Sequence, residues 1–251
     1  MSAAVSGEAV ILCEGFLDRS FWAGWLEHLG CPAPVPGTAV VDPAGRQVTK
    51  GHYGYYAGTR FVRVVPCHSR QNILPEARRR LAEREIDPLS RLVVCIDADT
   101  DAEQTTPATG LRVEDLEREI KQLAPDARRN TEGDIELDAG AVRVSLVRWE
   151  CNDRLGKGIP ARQTLERLVC AALVAAYPER APAVQAWLDG RPNPPARNPK
   201  EHAWSYMAGW YADHGCEDFF REVWRDERVV PQLESCLKAS GAWRVGAALV
   251  G

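Results

Sequence analysis

Through the first ~150 residues, short apolar runs alternate with longer stretches of helical spacing. Ala9-Val10-Ile11-Leu12-Cys13 and Leu92-Val93-Val94-Cys95-Ile96 are brief, rich in β-branched residues and closed by acidic residues. Runs of this kind read as strands buried on both faces, as in a parallel sheet covered by helices. Arg60 to Val65 and Gly140 to Val147 predict two further strands, and Val40-Val41 a short one. Between them, Phe21, Trp22, Trp25, Leu26 and Leu29 share one face of a helix that Asp18 would cap. Ile73, Leu74, Ala77 and Leu81 predict a helix ending near Glu85, and Leu116, Ile120 and Leu123 another over Val113 to Leu123. The Gly/Tyr stretch 50–58 reads as a loop.

From about Pro160 onward only helical spacing remains. Leu165, Leu168, Val169, Ala172, Leu173 and Ala176 make an apolar stripe, a short helix covers Ala183 to Leu188, and a stiff proline-rich connector spans 190–199. Later helices carry Trp204, Trp210, Phe219, Phe220 and Trp224, whose aromatic density predicts core. The expected fold is therefore α/β: a mostly parallel sheet flanked by helices over 1–155, followed by an all-helical domain or extension over 156–251.

Composition narrows the function classes. No apolar run approaches the roughly 20 residues of a membrane span, and the N-terminus lacks the basic start of a signal peptide. A cytoplasmic protein without a membrane partner is expected. The net charge of −4 argues against a broad basic nucleic-acid surface while allowing a local one. The eight cysteines are scattered without Cys-x-x-Cys pairs or zinc-ligand spacing, which predicts free thiols, most of them buried.

The chemistry concentrates where strands run out. The first run is followed by Glu14-Gly15, and the later one by Asp97-Ala98-Asp99-Thr100-Asp101. Ligand sites of parallel sheets lie beyond the carboxyl ends of the strands. Asp97 and Asp99 alternate, and Asp101 keeps the phase if the chain stays extended, so the carboxylates would share one face. Oxygen-only ligands crowded together suit Mg²⁺ or Mn²⁺, with Glu14 placed for proton transfer. Arg63, His68 and Arg70, with Arg60 and Lys50, are candidate contacts to a nucleic-acid backbone, and Tyr53, Tyr55 and Tyr56 could stack on bases.

These residues resemble the Toprim domain, which is related to OLD-family nucleases and DnaG-type primases. Its signature, a strand ending in Glu-Gly and a later strand ending in Asp-x-Asp, is matched by Leu12-Cys13-Glu14-Gly15 with Asp18 and by Cys95-Ile96-Asp97-Ala98-Asp99. The resemblance covers about residues 8 to 150 and is closer to small stand-alone bacterial Toprim-like proteins of unknown function. Counterparts of their later motifs would be Trp149-Glu150-Cys151-Asn152-Asp153, with Asn and Asp in reversed order, Gly158-Ile159 and Leu165-Glu166. It implies that Glu14 acts as general acid/base or metal ligand, that Asp97 and Asp99 hold Mg²⁺, and that Asp18 belongs to the substrate-binding edge. Where those relatives carry a glycine pair after the second strand, this chain has His68-Ser69.

The resulting expectation is a Mg²⁺-dependent nuclease acting on DNA or RNA. The alternative is a non-catalytic or partner-dependent module that works with an ATPase in defence or DNA maintenance. A small-molecule phosphohydrolase would need later Ser/Thr and Lys motifs that are not evident.

Overall fold

Side chains alternate across a strand, so a run such as Ala9 to Cys13 can be apolar throughout only where both faces are covered. The computed structural model describes residues 7–49, 51–99, 113–191, 198–211 and 215–251. Its strands are β1 (Glu8–Cys13), β2 (Tyr53–Ala57), β3 (Arg60–Pro66), β4 (Leu89–Asp97), β5 (Arg128–Arg129), β6 (Ile135–Leu137) and β7 (Val142–Trp149). They form one sheet in the order β2-β3-β1-β4-β7-β6-β5. The centre is parallel, with Leu12 beside Val65 on one side and Val94 on the other. The β2–β3, β5–β6 and β6–β7 pairs are antiparallel. The fold class is thus α/β, as the pattern predicts.

The helices are α1 (Phe16–His28), α2 (Arg70–Ala82), α3 (Val113–Leu123), α4 (Leu165–Ala176), α5 (Arg180–Asp189), α6 (Pro199–Trp210), α7 (Cys216–Glu222), α8 (Val230–Ala239) and α9 (Ala242–Val250). One sheet face, bearing Val10, Leu12, Val94 and Ile96, packs on Ile73, Ala77 and Leu81 of α2 and on Leu116 and Ile120 of α3. Against the opposite face lies α1, where the Trp22 indole N–H donates to the Cys95 sulfur at 3.2 Å.

Two local expectations change. The Gly/Tyr stretch contains a strand, β2, rather than only loop. Gly54 is needed there because a Cβ would meet the Phe61 ring at 2.7 Å. Val40-Val41 contributes only an isolated bridge, Val41 to Gln47.

The chain divides into two compact units, one of Met1–Ile96, Leu111–Val147 and Arg244–Gly251, the other of Asp97–Gly110 and Arg148–Trp243. The division falls earlier than residue 155, and the last eight residues return to the sheet unit. There Arg60 donates to the Ala248 and Leu249 carbonyls (3.0 and 3.1 Å), satisfying orphan acceptors at the end of α9.

In the helical unit α4 packs against α6 and α8 and is buried from Leu165 through Leu173. Its Arg167, 1% exposed, donates to the carbonyls of Cys151 (2.9 Å), Arg154 (2.6 Å) and Pro160. A buried guanidinium without such acceptors would be costly, so this residue pins the loop after β7 to the helix. Tyr206, Phe219, Phe220 and Trp224 are core, but Trp204 and Trp210 are exposed, contrary to the expectation for these aromatics. All eight cysteines are free, seven of them buried. Among the described residues no helix is long and apolar enough to cross a membrane.

Candidate functional site

Glu14 and Gly15 link β1 to α1. Gly15 is the residue before the helix, and Asp18, expected as the cap, sits inside the first turn and accepts the Gly15 N–H at 3.3 Å. Its carboxylate is buried against the backbone, which gives Asp18 a capping role in place of an open substrate contact. At the neighbouring strand end, the Cys67 N–H donates to the Cys13 carbonyl at 2.8 Å. His68 then takes a left-handed φ of 62°, and Ser69 caps α2 by accepting from Gln71 at 3.2 Å. A glycine pair would enter that turn without strain, whereas a histidine costs on the order of 1 kcal/mol. The exposed His68 ring meets Phe16 edge-on at 4.9 Å.

Arg70, the first residue of α2, brings its Nε within 3.7 Å of Glu14 Oε1. Arg19 is missed by sequence reasoning. Its guanidinium lies over the rings of Phe16 (4.7 Å) and Tyr53 (4.1 Å) and donates to the Gly51 carbonyl. No sequence signal marks it, because only Phe16 is near in sequence, while Gly51 and Tyr53 are more than thirty residues away. Burial raises the Cys67 thiol to about 12 and the Cys13 thiol well above its ordinary value, so neither is a thiolate nucleophile at neutral pH.

Several expected contacts lie elsewhere. Arg63 is 8% exposed and bonded to Glu8, at the start of β1, and to Asp42 at 2.9 Å. It therefore serves a buried ion cluster toward the amino end of the strands and is not a backbone contact. Arg60 is committed to α9. Tyr55 is buried with its hydroxyl on Glu27 at 3.1 Å, and Tyr56 remains exposed. Lys50 and Asp101 lie outside the described residues.

The aspartate pair at the end of β4 belongs to the helical unit and is held by it. Ala98 donates to the Trp149 carbonyl at 3.3 Å and Asp99 to the Gln163 carbonyl at 2.9 Å. Asp97 Oδ1 accepts the Leu165 N–H at 2.9 Å, placing a negative charge at the N-terminus of α4, where the helix dipole favours it. Asp99 Oδ1 pairs with Arg162 at 2.7 Å. The Gln163 side chain accepts from the Cys151 N–H at 2.8 Å and donates to Asn152 at 2.7 Å. Arg162 and Gln163 are again residues that the sequence did not single out. The legible signal nearby is Thr164, which opens the apolar stripe as the cap of α4. Asp153 lies beside Cys151, 3.5 Å from its sulfur.

Carboxylate oxygens are the right donors for a hard cation. Among the described residues, however, no group of three or more His, Cys, Asp or Glu side chains is gathered to hold a metal ion.

No family model and no curated protein matches the chain. Among solved structures it is similar to a hypothetical protein of Pyrococcus horikoshii, with a TM-score of 0.71 and 14% identity over 98% of this chain and 100% of that one. At that identity the likeness concerns the fold alone.

Proposed function

We propose that the chain is a divalent-cation-dependent enzyme of phosphodiester chemistry, a nuclease acting on DNA or RNA. One observation carries the reading: β1 and β4 are neighbouring parallel strands, and each runs out into carboxylates, Glu14 after β1 and Asp97 with Asp99 at β4. Carboxyl ends of parallel strands are where such folds place ligands.

Asp97 and Asp99 would hold Mg²⁺ or Mn²⁺, with Asp101 as the third candidate ligand. Strand β4 ends at Asp97 and Asp99 turns to φ 57°, so the two carboxylates are set by that turn and not by strand alternation. A cation bound there would polarise a phosphate oxygen and activate a water. It would share Asp97 with the Leu165 amide and compete with Arg162 for Asp99. Glu14 takes up or returns the proton. Arg70 orients Glu14 and offers positive charge to a phosphate oxygen, with the exposed His68 beside it.

The test is Mn²⁺ titration by calorimetry on wild type and an Asp97→Asn/Asp99→Asn variant, with circular dichroism as the folding control and DNA and RNA cleavage as the activity readout. Binding and cleavage that vanish together in the folded variant support the reading. Cleavage that persists overturns it.

A second reading, a partner-dependent module acting with an ATPase, draws on the helical unit. Trp187, Trp204 and Trp210 are 67%, 42% and 38% exposed and line a groove of about 560 Å³ with Arg191 and Glu201. Exposed apolar patches of this kind mark interaction surfaces. This reading gains if the pure chain cleaves nothing with Mn²⁺ alone and acquires activity on addition of the ATPase.

A further inference from the structure

Cys151 and Cys236 stand apart from the other thiols of the helical unit. Their sulfurs are 3.7 Å apart, although 85 residues separate them in sequence. Both are almost fully buried, at 3% and 1% exposure. A disulfide bond is about 2.05 Å long, so the pair must close by roughly 1.7 Å. Cys151 lies in the loop after β7, and Cys236 lies in the second half of α8. Arg154 reaches the same helix, donating to Gln232 at 3.1 Å.

We propose that Cys151 and Cys236 are a redox modification site that closes to a reversible disulfide in the presence of peroxide. Cys236 is the attacking group. The hydrogen bond from Cys151 and the charge of Arg154 outweigh burial and the charge of Asp153 and hold it below the ordinary thiol range, whereas Cys151 is pushed up by donating that bond and by burial. The Cys236 thiolate forms a bond to one peroxide oxygen as the O–O bond breaks and hydroxide leaves, giving a sulfenic acid. The Cys151 sulfur then attacks the Cys236 sulfur and loses its proton, the S–O bond breaks and water departs. Two thiols and one hydrogen peroxide become one disulfide and two waters, and a dithiol reductant reverses the change.

Burial sets the rate, because α8 must open locally before the oxidant can enter. The consequence reaches the Asp99 loop. The Cys151 N–H rests on the Gln163 side chain, and the Gln163 carbonyl receives the Asp99 N–H. A covalent tie from Cys151 to α8 therefore restrains the segment that fixes Asp99.

The molecule carries its own controls. Cys216 is partly exposed and reports whether the oxidant acts. Cys13 and Cys95 also share a hydrogen bond but are wholly buried in the sheet unit, so they link only if that unit opens. The folded protein is treated with hydrogen peroxide, alkylated, digested and read by mass spectrometry. A Cys151–Cys236 linked peptide is expected without a Cys13–Cys95 one. It should revert with dithiothreitol and raise Tm by about 5 °C or more. Both effects should be absent in Cys236→Ser and in Cys236→Ala, the latter covering misfolding of the serine variant. Oxidised Cys216 with Cys151 and Cys236 still alkylated as thiols overturns the proposal. So does a link that appears only together with Cys13–Cys95.

Discussion

Arg162 sets its Nη2 2.7 Å from Asp99 Oδ1, and the backbone bends into the left-handed region at Asp99, φ 57°, in the same short segment. Aspartate is one of the few residues with a side chain that tolerates that conformation. The strand pattern thus offers Asp99 to a metal, and the fold answers with a cation of its own. The Arg162 side chain is 55% exposed and the Asp99 side chain 17%, so solvent screens the pair from the arginine side and its contribution is on the order of 1 kcal/mol. On the proposed metal reading, a divalent ion bound by Asp99 would displace the guanidinium at a cost of that order.

Arg162→Gln should raise Mn²⁺ affinity severalfold while changing stability by less than about 1 kcal/mol. Calorimetry and urea unfolding read the two effects separately. Unchanged or weaker Mn²⁺ binding would remove Asp99 from the ligand set.

Asp97 has a structural duty besides any ligand role, because it accepts the first amide of α4, the central helix of its unit. Asp97→Ala leaves that donor unmatched and should cost about 1–2 kcal/mol. Asp97→Asn keeps an acceptor and loses only the charge, so it should cost less. Urea unfolding of the two variants checks the order. Wild-type stability in Asp97→Ala would show that the amide does not depend on this carboxylate.

Much of the sheet unit is legible because its signals are local. The apolar runs became β1, β3, β4 and β7, and the helical spacing at Ile73 and Leu116 became α2 and α3. The sequence predicts Asp18 as a cap, and it does cap, but from inside the helix, with Gly15 before it. The strand β2 was hidden because Gly54 signals a turn until the Phe61 ring lying over it is seen. Partners distant in sequence left no trace at all. Arg63 in a buried pair looks the same in one dimension as an arginine reaching for phosphate, and Arg60 gives no hint of the carbonyls 188 residues away that it binds. The strand-end carboxylates were legible, whereas Arg162 and the Leu165 amide that hold them were not.

Gly246 inverts a common rule. Within a helix, Gly→Ala ordinarily stabilises by about 0.5–1 kcal/mol. Here a Cβ would lie 2.3 Å from the ring of Trp25, a residue with 0% exposure. Gly246→Ala should instead destabilise by about 1–3 kcal/mol, as overpacking of a buried ring does. Urea unfolding gives the sign directly, and a stabilised variant would mean that α9 does not pack on α1 as described.

The same C-terminal segment carries a pH dependence. Arg244 grips Asp134 through both nitrogens at 2.9 Å, and Asp134 is 1% exposed. Burial by itself pushes the Asp134 carboxyl up, but the Arg244 hydrogen bonds, a hydrogen bond from Ser145 and the charges of Arg244 and Arg91 together outweigh it and hold the group below the usual carboxylate range. On acidification the unfolded chain therefore binds this proton first. The stabilising contribution is complete above the unfolded value of about 3.9 and is lost as pH falls through the lower folded value. Arg244→Gln removes the nearer counter-charge and leaves the burial, with only Arg91, 4.0 Å away, still opposite the carboxylate. It should cost on the order of 3 kcal/mol at neutral pH, tempered by the partial exposure of Arg244. Without that charge the Asp134 carboxyl moves up from its wild-type position, so loss of stability on acidification should begin at a higher pH than in wild type. Tm measured from pH 7 down to about pH 3 tests both points. Parallel curves for the two proteins would show that the ion pair does not set the acid limit of the sheet unit.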